Sequence, residues 1–313
     1  MRVQGGVLAL PYQWQMRVER LKRMFGGMFG GGGGERRPQL CPACGALVGI
    51  TATKCHECGT NLRFGLAAWS KGLSEFFGGH APVTTVILIA NVVMFGISLL
   101  ATMKSNEGGG FSLLFGMGNE ALYRLGASNP YAVLVEHQWW RLITASFLHG
   151  GLLHIGFNMM VLLDIGPIVE ELYGSPRYLF VYVVTGAAGF GLSVFHHPAV
   201  GASASLLGLI GIMIAVTTKR SGAAMQALRS RLISWVVSIF AIGFLMGGLI
   251  DNWGHFGGLA SGFILGKLLA DREPAGPGEK KTAYALGWSA GLVTIASFVL
   301  MFLHYGDRLP WVK

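Results

Sequence analysis

Between Ala81 and His304 the chain keeps returning to apolar stretches of roughly twenty residues, the length a helix needs to cross a hydrocarbon layer of about 30 Å. Seven stretches can be counted, at approximately 81–103, 145–168, 177–195, 201–218, 232–250, 253–270 and 283–304. Backbone inside lipid must satisfy its own hydrogen bonds, so each is predicted to be a helix and the fold class to be an all-α polytopic membrane protein. The composition agrees, at 52% hydrophobic and 12% charged residues, which is too apolar for a soluble chain of this length. The fourth and sixth stretches are short and rich in glycine, which predicts helices packed inside the bundle and away from lipid.

Net charge is +9, and a basic balance can mean nucleic acid or it can mean loops on the cytoplasmic side of a membrane. The distribution favours the second. Of 24 Lys and Arg, ten precede residue 81, one lies between stretches two and three, four between four and five, and four between six and seven. Lys104, Arg124, Arg141, Arg308 and Lys313 are left for the other side. The expected localisation is a multi-pass cell-membrane protein with its N-terminus cytoplasmic and its C-terminus outside, and no nucleic-acid partner. The stretch from Ala81 follows a polar, basic lead and reads as a retained signal anchor.

Residues 1–80 differ from the rest. Residues 1–40 read as a basic, Gly-rich flexible leader, in which Trp14, Val18, Leu21 and Phe25 share a helical face too short to hold in water, and Gly30–Gly34 cannot bury a core. Next come Cys41-Pro42-Ala43-Cys44 and Cys55-His56-Glu57-Cys58, which use every cysteine in the chain. Two CxxC knuckles present four thiolates to one tetrahedral ion, so residues 41–62 are predicted to be a zinc ribbon held by structural Zn²⁺. Paired disulfides would need an oxidising compartment, which the cytoplasmic placement argues against. Arg63 and Lys71 make a poor basic surface, so a protein partner suits the ribbon better than nucleic acid. Residues 63–80 form a linker.

If the N-terminus is inside, stretches two, four and six all enter from the outer face, and polar residues gather in their early turns. Stretch two carries His149, His154 and Asn158; stretch four opens Gly201-Ala202-Ser203-Ala204-Ser205; stretch six opens Asn252-Trp253-Gly254-His255. Polar groups within spans are costly and point to a cavity or a partner. Ser203 beside His255 supplies a hydroxyl and an imidazole to take its proton, and His154 and Asn158, one turn apart, offer two donors to a developing oxyanion. Each pair also has a plainer reading as an interhelical hydrogen bond. Small residues at 201, 202, 204 and 208 face a Gly258, Gly262, Gly266 ladder in this reading, allowing close helix approach.

These residues resemble the rhomboid intramembrane proteases over roughly residues 81–270. The resemblance rests on Trp140-Arg141, on His154-Ile155-Gly156-Phe157-Asn158, on Gly201-Ala202-Ser203 with Gly208, and on His255-Phe256-Gly257-Gly258 with Gly262. It implies a six-span catalytic domain at 81–270, a cytoplasmic loop at 271–282, an extra transmembrane helix at 283–304 and a short tail at 305–313. It also implies a Ser203 nucleophile, His255 as general base and then acid, and an oxyanion site of His154, Asn158 and the Ser203 backbone N–H. Substrates would be single-span membrane proteins in the lipid bilayer, cleaved without a catalytic cofactor. A non-catalytic relative that binds membrane proteins is the alternative, although such relatives usually lack the serine or the histidine. Two positions depart from the pattern: Ala204 replaces the usual glycine, and Leu207 stands where an aromatic often stacks on the histidine. Ser205 is a rival nucleophile with the wrong spacing to Gly201 and Gly208. Asp251 invites a triad, but is read as an interfacial residue; Asp164 lies too deep to join the layer. Trp140 and Arg141 are expected at the lipid headgroups.

Overall fold

The computed structural model describes residues 39–40, 47–48, 56–57, 81–105, 116–246, 250–307 and 309. The chain divides into two compact units, Met1–Gly79 and His80–Lys313. In the first, strands β1 (Gln39–Leu40) and β2 (Leu47–Val48) pair antiparallel, Gln39 with Val48 and Leu40 with Leu47, and His56–Glu57 form a turn. The Gly-rich leader, the four cysteines and residues 58–80 lie outside the described residues.

The second unit is helical. Its long helices are α1 (Pro82–Lys104), α5 (Leu152–Tyr173), α6 (Ser175–Ser193), α7 (Ser203–Lys219), α8 (Ala223–Leu245), α9 (Asn252–Leu268) and α10 (Pro277–Leu303). Between α1 and α5 stand the short helices α2 (Asn119–Arg124), α3 (Pro130–Leu134) and α4 (Arg141–Thr144), followed by a 3₁₀ turn at Ala145–Phe147. Among the described residues, four helices are long and apolar enough to cross a membrane: Pro82–Lys104, Leu152–Tyr173, Met225–Leu245 and Pro277–Leu303. Their outer faces carry apolar side chains in the open, such as Val86, Ile89, Val93, Ile97 and Leu100 on α1. An apolar stripe of that length has no place in water and suits lipid tails.

Helix α7 is the centre of the bundle. At 17 residues it is about 25 Å long, short of a full hydrocarbon layer, and Leu206, Leu209, Ile210 and Ile212 are fully buried around it. Helix α9, also 17 residues, departs from expectation: Gly254, His255, Gly258, Gly262 and Gly266 are buried, but Trp253, Phe256, Ile264 and Leu268 are exposed. It packs inside with its glycine face alone. A Cβ on Gly258 would strike the Ala204 backbone, and one on Gly262 the Gly208 backbone, so glycine is what lets α9 touch α7. Gly257 meets α6 in the same way, 2.9 Å from the Gly189 Cα to where its own Cβ would sit.

Helix ends meet in two layers. At one, the buried Glu170 of α5 accepts from the Val83 and Thr84 N–H groups (2.9 and 2.8 Å), the Thr84 hydroxyl and the Ser175 hydroxyl. One carboxylate thus supplies acceptors to the orphan N–H groups that open α1. In the same layer Arg220 after α7 bonds the Asp271 carboxylate and carbonyl (2.8 and 2.6 Å), which holds that carboxyl below its ordinary range. Arg177 donates to the Arg272 carbonyl at 3.2 Å. At the opposite layer lie the starts of α5, α7 and α9 and the region α2–α4.

Two sequence expectations change here. The second span begins at Leu152 rather than 145: residues 141–147 form α4 and the 3₁₀ turn, and Gly150-Gly151 precede the helix, so His149 comes before α5 instead of riding on it. The fifth begins at Ala223 rather than 232, because the polar lead continues the same helix beyond its apolar part.

Candidate active site

Three helix starts converge. Gly201 has φ +132°, and a Cβ there would lie 2.7 Å from His154 Nε2 and 3.6 Å from Ser203 Oγ, so glycine alone lets the turn before α7 pass under the imidazole. Its N–H donates to the Ala145 carbonyl at 2.9 Å, fixing the turn to the chain ahead of α5. Ser203 is the first residue of α7, so its N–H has no acceptor within the helix. Four residues into α9, the buried His255 brings Nε2 to 2.8 Å from Ser203 Oγ.

A serine hydroxyl donating to a neutral imidazole at that distance is set for proton transfer. Nδ1 of His255 is buried without a hydrogen-bond partner. Asp251 is not behind it: the Asp251 carboxylate caps α9 by accepting from the Gly254 N–H at 2.8 Å and lies 3.6 Å from His197 Nε2. Among the described residues the arrangement is therefore a pair, with no carboxylate bonded to the ring as a third member.

His154 is fixed from its own turn. The Gly150 N–H donates to Nδ1 at 3.3 Å, which puts the ring proton on Nε2, the atom facing Gly201. Asn158, largely buried, spends one amide N–H on the His154 carbonyl at 2.8 Å and keeps the second. The structure thus brings Ser203, His255 and His154 together. Ser205 is fully buried and turned toward Gly186 of α6. Asp164 pairs with Arg231 of α8 at 3.2 Å, away from this layer.

Residues 136–272 match the rhomboid domain. This stretch of the chain is similar to rhomboid domains. Rhomboid protease GluP of Bacillus subtilis (strain 168) is 31% identical over 193 residues, covering 61% of this chain and 36% of that protein. RHOMBOID-like protein 1 of Arabidopsis thaliana is 31% identical over 216 residues, 61% of this chain and 54% of that protein. Inactive RHOMBOID-like protein 8 of Arabidopsis thaliana is 30% identical over 153 residues, 47% of this chain and 43% of that protein. The chain therefore spans between about a third and about a half of these curated relatives. Rhomboid homology and the apolar helices together make this a multi-pass membrane protein.

Trp140 and Arg141, expected at the lipid headgroups, have their side chains packed inside the protein. Arg141 donates to the Tyr123 and Ala127 carbonyls (2.6 and 3.2 Å) and to Gln138 (2.6 Å), and its guanidinium lies 4.3 Å from the Tyr123 ring centre. Burial pulls its pKa down to about 10, still protonated at neutral pH. It ties the α2–α4 region together from inside. Leu207 leaves no ring on the histidine from α7, but Phe240 of α8 stands edge-on to His255, with centroids 6.2 Å apart and planes at 80°. Sequence reading missed Phe240, since one aromatic on a long apolar helix looks the same as the lipid-facing Phe244.

Proposed function

We propose that this protein is an intramembrane serine endopeptidase that cleaves single-span membrane proteins in or near the membrane, with Ser203 as nucleophile and His255 as general base and then acid. The observation that carries this is the 2.8 Å contact between His255 Nε2 and Ser203 Oγ at the start of two helices whose backbones touch. Ser203 attacks the scissile carbonyl, the imidazole takes its proton, and the same imidazole returns it to the leaving amine. In this reading the oxyanion then meets the Ser203 N–H, His154 Nε2–H and the second Asn158 amide N–H. Chemistry of this kind calls on no catalytic cofactor.

In the same reading the long helices make six spans plus a seventh, the N-terminus is cytoplasmic and the site faces outward. Cys41, Cys44, Cys55 and Cys58 hold a structural zinc in a ribbon that docks a protein partner. The support is the spacing, the strand pairing that brackets the first knuckle between Leu40 and Leu47, and the turn at His56–Glu57 inside the second. Metal analysis of the purified protein should find about one zinc per chain, lost on Cys41→Ser with Cys44→Ser; equal zinc in that variant would sink the ribbon.

The deciding experiment is cleavage of a single-span reporter in proteoliposomes by wild type, Ser203→Ala and Ser205→Ala. Loss in Ser203→Ala alone supports the reading. A folded wild type that binds a broad reporter panel and cuts none of it would instead make this a non-catalytic membrane-protein binder; one similar protein is named as inactive.

A further inference from the structure

The end of α10 does more than leave the bundle. Arg124, held by Glu120 at 2.8 Å, donates through Nη1 to the carbonyls of Tyr305 (2.9 Å) and Asp307 (3.1 Å). Leu309 is buried with Tyr123 and Ala132. The His304 ring lies 5.7 Å from that of Trp140, and the Phe298 ring meets Phe147 edge-on at 5.4 Å. Residues 298–307 and Leu309 therefore grip α2, α3, the start of α4 and the 3₁₀ turn at four places.

Those gripped elements in turn hold the Ser203 turn. Ser128 and Ala199 exchange both backbone hydrogen bonds, N–H to carbonyl at 3.1 and 2.9 Å, and Gly201 donates to Ala145. Ala199 also packs on the cluster of Ala145, Phe190 and Ala204. From Arg124 to Ser128 is one short step of chain, and from Ala199 to Ser203 another. A continuous set of contacts runs from the C-terminal segment to the serine.

We infer that residues 304–307 with Leu309 are a strap that clamps the α2–α4 region and, through the Ser128–Ala199 pairing, sets Ser203 Oγ against His255, so that Arg124 and Leu309 are positioning residues. This rests on the endopeptidase reading. The strap touches none of the proton-transferring groups, so its loss should slow reaction at Ser203 without removing the fold. The guanidinium bonds Glu120 through Nε and both carbonyls through Nη1, two nitrogens a fixed distance apart, whereas a lysine ammonium has one nitrogen for all three acceptors. Placement matters steeply here, since misplacement of reacting groups by about 1 Å can cost on the order of a hundredfold in rate.

The test is the rate at which a fluorophosphonate, a small probe of activated serines, labels full-length protein in proteoliposomes. Wild type, Arg124→Ala, Arg124→Lys and Leu309→Ser are compared, alongside thermal melting and hydrogen exchange. Arg124→Ala and Leu309→Ser should label about tenfold more slowly, with Arg124→Lys between, and exchange should rise at the Ser128 and Ala199 amides while α7 and α9 stay protected. Wild-type labelling rates in both variants overturn the strap and leave the endopeptidase standing. Slow labelling with exchange raised uniformly across α7 and α9 also overturns it, because the loss is then one of general stability. Absence of labelling in a folded wild type removes the endopeptidase reading and the strap with it.

Discussion

At the residue scale the question is what holds the His255 ring. Its Nδ1 has no acceptor, and the carboxylate nearest in sequence, Asp251, is engaged as the α9 cap. If Asp251 acted as a third triad member, replacing it by Asn would cost roughly four orders of magnitude in kcat. A cap predicts otherwise. Asp251→Asn retains an acceptor oxygen and should leave cleavage within about threefold, whereas Asp251→Ala should lower stability by about 1 kcal/mol, read from thermal melting. Phe240 is the ring that does touch the imidazole. An edge-on aromatic contact contributes on the order of 0.5–1.5 kcal/mol beyond its area, so Phe240→Leu should reduce kcat about two- to tenfold with KM little changed. An unchanged kcat would show that helix packing alone fixes the ring.

At the element scale the α7–α9 contact carries the site, because the two residues that must meet ride on helices with no side chains between them. Adding one carbon tests this. Gly258→Ala and Gly262→Ala push a Cβ into the backbones of Ala204 and Gly208, and neither helix can relax without moving the serine or the histidine. Each should destabilise by about 1–3 kcal/mol and reduce cleavage more than it lowers the melting temperature would explain. Gly156→Ala and Gly191→Ala place the carbon in open space and should be neutral in both readouts. This much was legible in the sequence, since glycines spaced four apart on an apolar helix announce a close approach, and so was the meeting of Ser203, His255 and His154 in one layer. What was not legible depended on partners distant in sequence. Nothing near Glu170 says that it caps α1, and nothing near Arg141 says that carbonyls of its own loop draw it inward. The start of α5 was misjudged because residues 145–148 are as apolar as a span, and only the Gly150-Gly151 pair precedes the boundary.

At the scale of the whole molecule, the helix ends fix an alternation that the charge count alone only proposed. Glu170 at the end of α5 meets the start of α1, Arg220 after α7 meets Asp271 after α9, and Arg177 near the start of α6 meets Arg272 before α10. These ends share one layer, and Lys219 and Lys267 lie in it as well, bonded to Leu269 and Thr218. Basic residues beside spans are retained on the cytoplasmic side, so that layer should face the cytoplasm and the Ser203 layer should face out. The consequence can be read with single cysteines in intact cells. Ser221, exposed between α7 and α8 at the basic layer, and Glu136, exposed in the α2–α4 region, make the pair. Glu136→Cys should react with a membrane-impermeant maleimide, Ser221→Cys should react only after permeabilisation, and the four native cysteines should stay silent with it. The reverse pattern would turn the molecule over, moving both the site and its water supply to the cytoplasmic face. Reaction of both in intact cells would instead mean that one of the short helices fails to cross, with α7 and α9 the first to suspect because each is about 25 Å long in a layer of about 30 Å.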